Sequence, residues 1–210
     1  MRSNSTEIIL VRHGQTEWNR IERFRGRVDI PLNETGVEQA EAVASRLARR
    51  SRPVKIYGSP LGRCLQTADA IAKSTNTQVQ VLEGIIDIDY GDWQRLTPEE
   101  AEKRDPDVYR TWLSAPQTAR IPGGETLDQV RARALEALER TAEHHPGQTI
   151  VLVSHKVVCK ILVCAVLGLD NSHFWLIEQD NAAINMFEWN GENYLIKGIN
   201  DTCHVEGISS

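Results

Sequence analysis

Two short apolar runs constrain this chain more than anything else in it. Residues 8–11 (IILV) lead into Arg12-His13-Gly14, and residues 149–153 (TIVLV) lead into Ser154-His155. Continuous apolarity over four or five residues marks strands covered on both faces, which belong to parallel sheets packed between helix layers. The intervening sequence agrees. Residues 36–50, opened by Thr35-Gly36, carry Val37, Ala40, Val43, Ala44 and Leu47 at helical spacing. Residues 54–57 read as a strand, 61–73 as a helix with Leu65, Ala68 and Ile71 on one face, and 78–82 as another strand. Gly123-Gly124-Glu125-Thr126 leads into a helix reaching about Glu143, with Leu127, Val130, Ala134, Leu135 and Leu138 facing inward; 157–167 is an apolar helix.

This alternation predicts an α/β fold, a three-layer α/β/α sandwich with a mostly parallel central sheet. Residues 183–189 and 194–199 flank Asn190-Gly191 and predict an antiparallel edge hairpin. Residues 1–210 read as a single domain. Its stretch 92–124, with Pro98 at a first helical turn, many charges and Trp112, reads as a short cap inserted over the active site.

Composition excludes some partners. A formal net charge of -5 argues against nucleic acid as the main partner, yet residues 1–30 alone hold six arginines against four acids. The most apolar run, 157–169, is broken by Lys160 and too short to span a membrane. No secretory segment is legible at the N-terminus, so Cys64, Cys159, Cys164 and Cys203 read as free thiols in a cytoplasmic protein. The Asn33 and Asn200 acceptor patterns then count as chance matches.

His13 and His155 both follow a buried strand, where open α/β sheets bind ligands. A lone loop histidine usually has no task; two at strand ends, one beside an arginine, point to a site. A metal centre would need further ligands. Asp87 or Asp89 could supply one, but Arg12 and Arg63 would repel a cation, so no metal or other cofactor is expected. The guanidiniums of Arg12 and Arg63 suit phosphate oxygens, the latter at a helix N-terminus. Nucleotide-binding loops of the GxxxxGK[ST] and GxGxxG types are absent from the sequence.

LVRHGQTEWN (residues 10–19) resembles the signature of the histidine phosphatase superfamily, also called phosphoglycerate mutase-like. SPLGRCLQTA (59–68), IDIDYGDW (86–93), GGET (123–126) and LVSH (152–155) resemble its later segments in family order. The resemblance implies a phosphatase working through a phosphohistidine on His13. It implies that Arg12, Arg63, His155 and Asn19 bind the phosphoryl group, with His155 protonated. The Gly14 carbonyl could fix the His13 tautomer. The general acid of the family is commonly a glutamate four residues before the glycine of the acid segment; Asp87 holds that place here, and Glu83 is the alternative. Arg95 stands where the family often has glycine, either near the pocket mouth or on the cap surface.

The tail segments VLGLDNSHFW (166–175), QDNAA (179–183) and NDTCHVEG (200–207) are similar to those of the metal-independent phosphoserine phosphatases of that family. A phosphoserine-like substrate is therefore expected, a small phosphate ester with Arg25, Gly26, Tyr90 and His204 on the substrate side. Phosphoglycerate mutase-type transfer and a weakened phospho-ligand-binding protein are the rival readings. Trp175, Leu176, Ile177 and Trp189 could bury a homodimer contact or equally form an edge of the core.

Overall fold

The computed structural model describes residues 4–208. Among these residues, β1 (Thr6–Arg12), β2 (Lys55–Gly58), β3 (Val79–Val81), β4 (Thr149–Ser154), β5 (Ile184–Trp189) and β6 (Tyr194–Asp201) form one sheet ordered β3-β2-β4-β1-β5-β6. The four on the β3 side are parallel; β5 runs antiparallel to β1, and β6 antiparallel to β5. The helices are α1 (Glu17–Arg20), α2 (Glu34–Arg50), α3 (Gly62–Thr75), α4 (Pro98–Arg104), α5 (Pro106–Ser114), α6 (Leu127–Glu143) and α7 (Lys156–Val166).

The two-residue period of the strands divides the interior into two cores. Ile8 and Leu10 face one layer with Ile150 and Leu152, against Val130, Ala134 and Leu138 of α6 and Val158, Ile161 and Leu162 of α7. Ile9 and Val11 face the other with Val151 and Val153, against Val43, Ala44 and Leu47 of α2 and Cys64, Ala68 and Ile71 of α3. The sheet is mostly parallel and flanked by helices, the three-layer arrangement the apolar runs imply. Among the described residues no helix is long and apolar enough to cross a membrane.

Two local details differ from the sequence reading. Helix α2 opens at Glu34, because Asn33 is its cap: Asn33 Oδ1 accepts the Gly36 amide at 2.8 Å. Val37 then lies outward at 43% exposure, while Gln39 is buried because its Oε1 accepts the Gln15 amide at 2.8 Å. A satisfied polar side chain thus displaces an apolar one from the inner face. Trp189 and Ile177 pack against the core, whereas Leu176 is 77% exposed.

The loop after β1 and the first turn of α2 meet backbone to backbone. A Cβ on Gly14 would lie 2.3 Å from the Gly36 carbonyl oxygen, and one on Gly36 would lie 2.0 Å from that of Gln15. This close approach sets the loop after β1 directly on the start of α2.

Candidate active site

Because β1 and β4 are parallel neighbours in register, with Arg12 opposite Ser154, the residues that follow them emerge side by side. The rings of His13 and His155 are both fully buried and meet edge to face, 5.3 Å between centroids. His13 Nδ1 donates to the Gly14 carbonyl at 2.6 Å, which leaves Nε2 as the unprotonated nitrogen. That Nε2 is buried and has no hydrogen-bond partner in the protein. Burial, and after it the charges of Arg63, Arg12 and Arg25, push this imidazole well below its ordinary pKa. The result is a neutral imidazole with its lone pair held ready among cations.

His155 is held by side chains instead. Its Nδ1 accepts from Arg63 Nε at 3.2 Å and its Nε2 donates to Ser59 Oγ at 2.7 Å, a pattern that only a neutral ring satisfies. Burial and then Arg63 hold its pKa well below the imidazole value. Without a phosphoryl group beside it His155 is therefore held neutral; the expected protonated state concerns the phosphate-bound site.

Arg63 lies in the first turn of α3, where its guanidinium also donates to the carbonyls of Val28 and Gly26, both at 2.9 Å, and to Asp87 Oδ2 at 3.1 Å. Arg12 Nη1 donates to the Gln179 carbonyl at 2.7 Å, while its buried Nε is unpartnered. Burial and Arg25 lower the Arg12 guanidinium to about 10. Arg25 likewise keeps a buried, unpartnered Nε. Asn19 Oδ1 accepts from Thr16 at 2.9 Å through both the amide and the hydroxyl. The Asn19 amide NH₂ is thus the end available to a ligand.

Asp87 is 5% exposed. Burial raises its pKa, against the opposing pull of Arg63 and Arg25. Glu83 is exposed and lines a separate groove with Arg133 and Glu136, so the structure brings Asp87, not Glu83, to the histidines. The backbone of the acid segment is braced by a side chain that sequence reading passed over. Arg133 donates to the carbonyls of Gly84 at 2.9 Å, Ile86 at 2.7 Å and Asp87 at 3.1 Å. Glu125 holds Arg133 in turn through two 2.9 Å bonds. The signal was the glutamate in GGET, read only as the approach to a helix.

A cavity of about 370 Å³ adjoins these groups, lined among others by Arg12, Asn19, Arg25, Gly26, Asp87 and Tyr90. Its wall is Phe24, Tyr109, Trp112, Leu113, Phe174 and Trp175, with Lys156 and Lys160 of α7. The ring of Tyr90 packs edge to face on Phe24 and Trp112, at 4.9 and 5.9 Å. His204 does not belong to this cavity. Its Nδ1 accepts from Arg46 at 3.1 Å and its Nε2 donates to the Ala182 carbonyl at 3.0 Å, so both nitrogens are committed against α2 and the turn before β5. Its expected place on the substrate side is corrected accordingly. Arg95 is exposed with φ at 79°, and its amide donates to the Phe24 carbonyl at 2.8 Å. Of its two expected places it takes the surface, in the backbone region that favours glycine. Among the described residues no three His, Cys, Asp or Glu side chains gather as a metal cluster.

Residues 8–202 match the histidine phosphatase superfamily (branch 1). The chain belongs to that superfamily. Phosphoserine phosphatase 1 of Hydrogenobacter thermophilus is 38% identical over 95% of this chain and 94% of its own length. The metal-independent phosphoserine phosphatase of Arabidopsis thaliana is 32% identical over 99% of this chain and 87% of its own. The solved phosphoserine phosphatase of Entamoeba histolytica, in complex with 3-phosphoglyceric acid, superposes with a TM-score of 0.85 at 29% identity, covering 95% of this chain and 99% of that one. The chain is therefore a histidine phosphatase, an enzyme of the hydrolase type in a family that works through a phosphohistidine.

Proposed function

We propose that this histidine phosphatase hydrolyses small phosphorylated carboxylic acids, phosphoserine foremost. His13 Nε2 attacks phosphorus in line with the ester oxygen, the P–O bond breaks, and Asp87 gives its proton to the departing alkoxide. Water then attacks the phosphohistidine, Asp87 takes its proton back, and inorganic phosphate leaves with His13 restored. Arg12, Arg63, Arg25 and Asn19 hold the phosphoryl oxygens, where negative charge sits throughout the transfer. His155 starts neutral; a dianion beside it raises its pKa and recruits it as a further donor.

One observation carries this reading: the unpartnered Nε2 of a neutral, fully buried histidine, set among three guanidiniums. The raised pKa of Asp87 supports its part, since an acid must hold a proton before it can give one. Relatives named for phosphoserine support the substrate class. The same reading takes residues 1–210 as one catalytic domain, 8–202 of which match the family, with about 92–124 as its cap, in a reducing cytoplasm that keeps the four free cysteines reduced.

Rapid quench into alkaline detergent with a ³²P-labelled ester tests it. Wild type is expected to carry an acid-labile, base-stable label and His13→Ala to carry none. A label of equal size on His13→Ala, or none on a wild type that is turning substrate over, overturns the nucleophile.

A further inference from the structure

Lys160 is the one feature of α7 that its packing does not account for. The helix is apolar almost throughout, and Lys160 is buried within it at 2% exposure. Its Nζ lies 5.2 Å from the ring centre of Phe174 and 4.9 Å from that of Trp175, two residues of the cavity wall. One turn earlier, Lys156 lines the same cavity. Lysines four apart share a helix face, so two like charges are stacked on one side of one pocket. Among the described residues neither forms an ion pair within 4 Å. Burial and Lys156 lower the Lys160 ammonium to about 8; Glu178 opposes this only from a distance. Burying an ammonium beside another, without a carboxylate against it, is unfavourable for folding. The aromatic contacts offset part of that cost, and an anion arriving in the cavity would offset the rest.

We infer that Lys160, with Lys156, forms a second anion subsite in the cavity wall, which receives the carboxylate of a phosphorylated acid while the phosphoryl group sits among Arg12, Arg63 and His13. This rests on the phosphatase reading above and adds to it the residues that select the acid. The position suits the chemistry. A cavity of about 370 Å³ holds more than a phosphoryl group, and its aromatic wall brings Phe174 and Trp175 up to the ammonium. Tyr90, which also lines the cavity, is a buried phenol whose pKa is raised by burial, so it offers a neutral hydroxyl only, while Glu22 and Arg23 of the same lining carry opposite charges. Lys156 and Lys160 therefore supply the positive charge on this helix face. Both are legible in SHKVVCK (residues 154–160), where Lys160 looks like a mere interruption of an apolar run.

A matched pair of esters tests the subsite, because phosphoserine and phosphoethanolamine differ only in the carboxylate. In Lys160→Met, whose aliphatic stem still packs on the rings, the ratio of kcat/KM for phosphoserine to that for phosphoethanolamine is expected to fall about 10–100-fold, chiefly through KM. Lys160→Arg should retain most of the ratio, and Lys156→Met should lower it by a smaller factor. A ratio unchanged in both Met variants overturns the subsite, as does an equal fall for both esters. If Lys160→Met fails to fold, Lys156→Met and Lys160→Arg decide alone by the same ratio. A wild type that hydrolyses neither ester would defeat the phosphatase reading instead. Quenching of tryptophan fluorescence by the two esters then reads the subsite directly: a preference for phosphoserine that Lys156→Met weakens supports it, and equal binding of both refutes it.

Discussion

The cluster around His13, the floor of the site, and the aromatic wall of the adjoining cavity are built on different principles. On the floor, nearly every polar group has a second commitment to backbone: Arg63 to Val28 and Gly26, Arg12 to Gln179, His13 to Gly14. The wall is held by rings, Trp112 meeting Phe174 at 5.5 Å and Trp175 at 5.6 Å, with one bond from Trp175 Nε1 to the Trp112 carbonyl at 2.7 Å. Hydrogen bonds to fixed carbonyls tolerate little displacement, whereas aromatic packing tolerates exchange of shape at similar volume. Under the proposed function, the reaction falls to the floor and the choice of substrate to the wall.

The largest effect expected from a test of this contrast lies at Asp87. Asp87→Asn should lower kcat for an alkyl phosphate by about 10²–10³-fold, and far less for p-nitrophenyl phosphate, whose leaving group needs little protonation. The pH profile has a definite sign. With its pKa raised, Asp87 is protonated over a wider acid range than an ordinary aspartate. Turnover of alkyl esters should fall as pH rises through that value, and that limb should vanish in the Asn variant. Equal losses on both esters would remove Asp87 from its role.

Next in size is Arg133→Met, which frees the backbone of the acid segment without touching substrate. Arg133 is a positioning residue here. Its loss should cost about 10–100-fold in kcat toward alkyl esters with KM little changed, and should displace the same pH limb. A loss through KM alone would place Arg133 in the substrate-binding wall and blur the contrast. The smallest effect belongs to the surface beyond the wall. Arg95→Gly relieves a positive φ and should stabilise the fold by about 1 kcal/mol, seen as a Tm about 2–4 °C higher, with kinetics unaltered.

The same division governs how much could be read from the sequence. The floor is written in short local strings: RHG and SH follow strands whose apolarity is unmistakable, and parallel pairing of β1 with β4 brings them together. Asp87 could be placed by counting back from Gly91. The protonation state of His155 could not, because it depends on an Arg63 that is distant in sequence and donates to its ring. His204 illustrates the converse. Nothing local says that Arg46, on α2, will take up one of its nitrogens. The wall was less legible still, because Phe24, Trp112, Trp175 and Lys160 come from four separate segments, and each alone reads as ordinary core. The braces of the acid segment, Arg133 and Glu125, lie eight residues apart on the approach to α6 and its first turns, and they act on carbonyls almost fifty residues earlier.

The contact between Gly14 and Gly36 has a consequence for anyone who would redesign this enzyme. Each glycine excludes a side chain from the other's neighbourhood, so neither can be varied singly and no paired replacement restores the fit: any Cβ at either site meets backbone, which cannot rotate away. A mutational library spanning the nucleophile loop would lose its members at residue 14 to misplacement of the loop before chemistry was ever assayed. Such a library should hold Gly14 and Gly36 fixed and spend its diversity at the aromatic positions instead.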